Sequence, residues 1–159
     1  MRQILSAILL FFLAVLPLQA MTDGASLYER GYRGNVGLNF NPSVSKGHGY
    51  AVGVESVHGY SFGNGAFLGG GIGLMVTSNE AVAAPIFLEA KYAFLDSALT
   101  PFVSMRGGFR YMENYNSAVY ISPAVGVDIG DFSVSFAYQA LSGAVYFENL
   151  LNFTVSWNF

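Results

Sequence analysis

The chain has 159 residues and a formal charge of −3; it contains no cysteine and two histidines, and is 53% hydrophobic but only 11% charged. The lack of cysteine excludes disulfides, thiolate metal sites and lipid attachment at a lipobox cysteine, and the scattered Lys and Arg offer no surface for nucleic acid. Beyond Leu18 no apolar run is long enough to cross a bilayer as a helix, so the apolar content points to strands, as do 19 Gly, 14 Phe and 10 Tyr.

Arg2 precedes an apolar run from Ile4 to Leu18, which ends in Gln19-Ala20 and the polar Met21-Thr22-Asp23-Gly24. A charged start, a short apolar core and a small-residue exit predict a secretory signal peptide over residues 1–20, cleaved after Ala20. A transmembrane helix is the alternative, but the run is short for one and carries Pro17 near its end. Residues 21–31 are expected to form a periplasmic N-terminal segment, and residues 32–159 a barrel.

The mature chain repeats short segments whose side chains alternate between apolar and polar or small. The first runs from Tyr32 to Asn41, with Val36, Leu38 and Phe40 on one face and Arg33, Asn35 and Asn39 on the other. His48–His58 follows, and Gly63-Asn64-Gly65 marks a hairpin turn. Phe67–Val76 sets Leu68, Ile72 and Leu74 against glycines. Pro85–Phe94 sets Ile86, Leu88 and Tyr92 against Phe87, Glu89 and Lys91. Thr100–Met112 sets Val103, Met105 and Phe109 against Ser104, Arg106 and Arg110. Ala118–Ile129 and Phe132–Leu141 flank a Gly130-Asp131 turn, and the final segment is Leu151–Phe159.

Eight such segments of about 9–11 residues match tilted membrane strands, and an even count suits a bacterial barrel. The fold expected is therefore all-β: an eight-stranded antiparallel up-and-down transmembrane barrel preceded by a cleaved signal peptide. Both termini then lie in the periplasm. The connections at Pro42–Gly47, Thr77–Ala84, Glu113–Ser117 and Ser142–Glu148 lie outside the cell. Aromatics fall where two interface girdles belong: Tyr32, Tyr60, Tyr92, Phe94, Phe132, Trp157 and Phe159 at the inner rim, Phe40, Tyr50, Tyr111 and Tyr138 toward the outer. A secreted β-sandwich has no reason for that arrangement.

In Leu151-Asn152-Phe153-Thr154-Val155-Ser156-Trp157-Asn158-Phe159 every odd position is large and apolar and every even one small and polar. With the signal peptide and the eight alternating segments, this terminus resembles the small outer-membrane barrels typified by the OmpA transmembrane domain and OmpX. The resemblance covers the mature chain in pattern. It implies location in the outer membrane, contact with its lipid, and reading of Phe153, Val155, Trp157 and Phe159 by the barrel assembly machinery. It implies no particular activity, because this architecture hosts unrelated functions.

Eight strands enclose just enough space for side chains. The inward ionisable residues are Glu55, Glu89, Lys91, Arg106, Arg110 and Asp128. A hairpin centred between Ser97 and Ala98 sets Glu89 opposite Arg106 and Lys91 opposite Ser104. An isolated charge there is costly, so Arg106 is expected to pair with Glu89. The reading is a structural or interaction role in the envelope, with a packed charged lumen, no open pore, and a protein partner reached, if at all, through loops or the outward wall. The alternative is a narrow conduit gated by Glu89–Arg106. A lipid-modifying enzyme is a third reading, carried by Ser56 and His58 on one face of the second strand. That pair falls at the periplasmic rim, with no acid to orient His58, while His48 stands alone at the outer end. No catalytic residue, metal site or cofactor is expected. Gly69-Gly70-Gly71-Ile72-Gly73 lies within a strand and precedes no helix, so it is not a phosphate loop. Its lumen-side glycines are expected to make room for Arg106, Arg110 and Phe87.

Overall fold

The structure is a computed structural model and describes residues 26–44, 49–112, 117–143 and 147–159. The signal peptide, residues 21–25, His48 and much of three of the connections named above lie outside the described residues. Eight strands follow one another: β1 (Arg30–Pro42), β2 (Tyr50–Phe62), β3 (Ala66–Thr77), β4 (Val82–Ala93), β5 (Leu99–Met112), β6 (Ala118–Ile129), β7 (Phe132–Gly143) and β8 (Phe147–Asn158). Each pairs antiparallel with the next, and β1 pairs with β8 to close the barrel.

The strands are longer than their alternation suggests, with 13 residues in β1, 14 in β5 and 12 in β8. The extensions are hydrogen-bonded ends whose side chains have lost the apolar–polar contrast. At β4 the expected Thr77–Ala84 connection shrinks, because Val82 and Ala83 already pair with Val76 and Met75. Thr77 closes what remains: its N–H and hydroxyl both donate to the Ala81 carbonyl, at 2.9 and 3.2 Å. β1 opens at Arg30, so the last residues assigned to the N-terminal segment belong to the wall.

Each break in the wall pairing contains a proline. Between β3 and β4 the register skips from Ile72↔Ile86 to Met75↔Ala83, across Pro85. Between β6 and β7 it skips from Ile121↔Ala140 to Ala124↔Ala137, across Pro123. At the seam it runs from Asn35↔Asn158 to Phe40↔Phe153 and resumes at Ser43↔Leu150, beyond Pro42. Proline has no N–H to contribute to a ladder.

The two faces of the wall separate by chemistry. Ile86, Leu88, Phe109 and Tyr111 point outward and are more than half exposed, while Phe67, Phe87, Phe102 and Tyr120 fill the interior. Aromatics at the rim where the described chain begins and ends contact one another outside the barrel, Tyr60 with Phe62 and Tyr92 with Phe94. Lumen-side glycines create the space for the inner rings. A Cβ on Gly71 would stand 2.4 Å from Phe87 Cζ, and one on Gly126 2.4 Å from Phe102 Cζ. The expectation is met for Phe87, which packs over Gly71, while the atoms nearest Gly69 and Gly73 include those of Phe67 and Pro85.

Adjacent glycines on β5 give a sharp test. A Cβ on inward Gly108 would lie 2.1 Å from the Ile86 carbonyl oxygen and 2.6 Å from Phe87 Cα, whereas one on outward Gly107 meets only the Tyr120 carbonyl at 3.9 Å. Gly108→Val should lower stability by at least about 3 kcal/mol, while Gly107→Val should stay within about 1 kcal/mol of the parent. Urea unfolding in detergent micelles measures both, and equal midpoints would contradict the packing described.

Candidate functional site: the charged lumen

All six inward ionisable residues named from the sequence face the lumen, and they sort into three groups along it. The central group joins three strands. Glu89 stands opposite Arg106 in the β4–β5 register, but the shorter contact of Arg106 is with Glu55 on β2. Arg106 Nη1 donates to Glu55 Oε1 at 2.7 Å, and Nη2 lies 3.3 Å from Glu89 Oε2 as an ion pair without hydrogen-bond geometry. The guanidinium thus bridges two carboxylates that are each almost fully buried. Its carbon sits 4.9 Å from the centre of the Phe87 ring. A planar cation with fixed donor directions suits this place better than an ammonium would.

A chain of amides extends the group toward the rim opposite the chain ends. Asn39 Nδ2 donates to Glu55 Oε2 at 3.0 Å, Asn41 to Asn39 at 2.9 Å, Asn152 to Asn41 at 2.6 Å, and Thr154 Oγ1 to Asn152 at 2.8 Å. The chain crosses from β1 to β8, so the polar positions of the terminal strand help to hold the closing seam from inside. Sequence reasoning placed Asn39 on the face opposite Leu38 and Phe40 but did not connect it, through Asn41, to Asn152. The seam register that brings them together is a property of closure, not of either strand.

The second group lies nearer the chain ends. Lys91 stands opposite Ser104 in the register but reaches past it to Asp128 Oδ1 at 2.7 Å, and its ammonium lies 3.8 Å above the Phe102 ring centre. Ser133 and Asn158 complete this layer: Ser133 Oγ donates to Asp128 at 2.5 Å and Asn158 Nδ2 to Ser133 at 2.7 Å. Toward the opposite rim, Arg110 donates to Gln139 Oε1 and lies beside Met75 Sδ and Tyr120. Aromatic and aliphatic side chains occupy the space between the charges: Val57, Phe67, Phe87, Phe102, Tyr120, Leu141 and Leu150 form one buried cluster.

On the outer wall, Ser56 and His58 do meet. His58 Nε2 lies 2.8 Å from Ser56 Oγ, His58 Nδ1 lies 2.5 Å from the Tyr32 hydroxyl, and Ser56 Oγ donates to the Asn35 carbonyl at 3.2 Å. The orienting group is a phenol and not a carboxylate. A neutral imidazole accepting from Tyr32 and donating to Ser56 uses each proton once, with Ser56 turned to Asn35 and 1% exposed. The Phe159 ring lies 6.0 Å from His58 and covers Gly34, where a Cβ would come within 2.6 Å of it. Phe153, Val155 and Trp157 share this outward face of β8, Phe153 against Phe136 and Trp157 against Phe159. Among the described residues no group of three His, Cys, Asp or Glu is arranged to hold a metal.

Removing the bridging cation tests the central group. Arg106→Ala leaves two buried carboxylates facing each other and should cost about 3–5 kcal/mol. Neutralising both acids as well, in Glu55→Gln/Glu89→Gln/Arg106→Met, should recover most of that loss. An Arg106→Ala unfolding midpoint equal to the parent's would show that the bridge holds nothing.

No protein-family model matches the chain, and no curated protein matches it by sequence. Its fold does match solved structures. The N-terminal β-barrel domain of Pseudomonas aeruginosa OprF aligns with a TM-score of 0.54 at 14% identity, over 82% of this chain and 100% of that one. The Yersinia pestis outer membrane protein Ail, solved in a phospholipid bilayer nanodisc, aligns at 0.53 and 8%, over 81% and 100%. A de novo designed transmembrane β-barrel aligns at 0.54 and 12%, over 80% and 95%. At such identities the likeness is one of fold: the chain is a closed, eight-stranded, antiparallel up-and-down barrel, as the alternation of its segments led us to expect.

Proposed function

We propose that the protein is an integral outer-membrane barrel whose lumen is packed shut, and that its role is structural or interactive: it stabilises the envelope or presents its loops and outward wall to lipid and protein partners. The observation that carries this reading is the interior itself. Glu55, Arg106 and Glu89 join three strands across a lumen otherwise filled by rings and aliphatic side chains, where a conducting barrel needs a continuous wet path.

Outward chemistry supports the location. A wall with Leu88, Phe109 and Ile121 exposed suits hydrocarbon, and rim aromatics suit its boundaries. An apolar groove of about 790 Å³ among Leu68, Ala90, Met105, Pro123 and Phe136 suits acyl chains. The outer membrane protein Ail, similar in fold, supports the same membrane. In this orientation the chain ends face the periplasm, and Phe153, Val155, Trp157 and Phe159 are the signal read by the assembly machinery. A non-enzymatic role is supported by the buried, backbone-bonded Ser56.

Two measurements test the reading. In fractionated cells the mature protein should sit in the outer membrane and migrate differently before and after boiling on a detergent gel. In planar bilayers it should show no steady single-channel current. Discrete openings abolished or widened by Arg106→Ala would instead establish the gated conduit, and a soluble periplasmic protein without a mobility shift would overturn the membrane assignment.

A further inference from the structure

The described chain starts before the wall does, and its first residues do not hang free. Leu27 is 8% exposed and belongs to the same buried cluster as Val57, Phe67 and Phe102, so it enters the mouth of the barrel. Its carbonyl accepts from Ser61 Oγ at 2.7 Å and from the Gly65 N–H at 3.2 Å, both at the β2–β3 hairpin. Tyr28 donates its hydroxyl to the Ala93 carbonyl at 3.1 Å, beside the β4–β5 turn. Partial burial, with Tyr92 and Asp96 nearby, pushes the Tyr28 phenol up. Ser26 donates to Asp96 at 3.2 Å, Arg33 Nε donates to the Ser26 carbonyl at 3.3 Å, and Arg33 pairs with Glu29 at 3.0 Å.

The wall is shaped to receive this segment. Gly65 has φ +83°, and a Cβ there would lie 2.4 Å from the Ala93 carbonyl and 3.2 Å from Tyr28 Cζ. Beside Leu27 a cavity of about 270 Å³ remains, bounded by Ser26, Asp96, Thr100 and Asp128. It leads to the exposed edge of the Lys91–Asp128 pair. Leu27 and a few hydrogen bonds thus narrow the approach to that ion pair, whereas the Glu55–Arg106–Glu89 layer beyond is built into the wall strands.

We infer that Ser26–Glu29 is a self-inserted cap that swings out of the periplasmic mouth without unpairing the barrel. With the cap withdrawn, a blind vestibule opens as far as the Arg106 layer, and the barrel has two seals in series. One is a hinged segment outside the strand ladder and the other is permanent. This rests on the packed-lumen reading.

The absence of cysteine makes the inference directly testable by thiol labelling of the full mature chain folded in detergent micelles. Ser104→Cys places a thiol beside Lys91, between cap and central layer, and Ala83→Cys places one in the lumen on the far side of that layer. A membrane-impermeant maleimide should label both slowly while the cap is seated. Leu27→Asp puts a carboxylate where the cap must enter an apolar cluster, and Ser61→Ala removes a hydrogen bond holding it. With Leu27→Asp, labelling at position 104 should rise at least tenfold, and with Ser61→Ala by less. Position 83 should stay slow, and each variant should keep the heat-shifted band of a folded barrel. Equal labelling at 104 with and without Leu27→Asp, or rapid labelling with the cap intact, overturns the cap. A parallel rise at 83 with the fold retained overturns the packed lumen on which it rests.

Discussion

Closure of β1 against β8 is the constraint on which the rest of this structure depends. A strand facing hydrocarbon cannot leave its backbone groups to water, so the sheet must return to its own first edge. The return fixes a circumference, and the circumference fixes a lumen too narrow for bulk solvent yet wide enough to demand filling. Here the closing pair is also the shortest one, running from Asn35↔Asn158 to Phe40↔Phe153 before Pro42 breaks it. It is reinforced on both faces. Inside, the Asn39–Asn41–Asn152–Thr154 chain crosses it. Outside, the Phe159 ring covers Gly34 and reaches His58.

The charges follow from the same constraint. A purely apolar lumen could be filled with rings alone, but ion pairs between strands are directional and link parts of the wall that never meet in the hydrogen-bond ladder. Arg106 links β5 to β2 across the lumen, and Lys91 links β4 to β6. Each cation also rests on an aromatic ring, which shields it without competing for its donors. On the proposed reading, the same geometry that locks the wall also removes the path a solute would need.

Much of this was legible before the fold was known. Period-two alternation in Pro85–Phe94 and Thr100–Met112 assigned their faces, and the Asp96–Ala98 turn fixed a register that sets Glu89 against Arg106. What the sequence concealed depends on the barrel's curvature. Strands far apart in the chain converge on the axis, so Glu55 reaches Arg106 and Lys91 passes Ser104 for Asp128. No local pattern encodes those distances. The strand ends were hidden for a different reason: small residues such as Ala83 and Gly143 continue the pairing without continuing the contrast. Leu27 escaped because a single apolar residue in a polar stretch has no period to read. The Ser56–His58 pair was legible as a spacing, but its partner Tyr32 comes from the neighbouring strand.

The most direct test of the closed barrel is a cross-strand disulfide at the seam. Leu38 and Val155 stand opposite each other on the outward face, and directly opposed residues of an antiparallel pair have Cα atoms about 5.5 Å apart or less, within bridging range. In the folded protein in detergent micelles treated with a mild oxidant, Leu38→Cys/Val155→Cys should form an intramolecular disulfide readily, and Leu38→Cys/Leu88→Cys should not. Absence of the seam disulfide in folded protein, or equal bridging of both pairs, would mean that the sheet does not close as described.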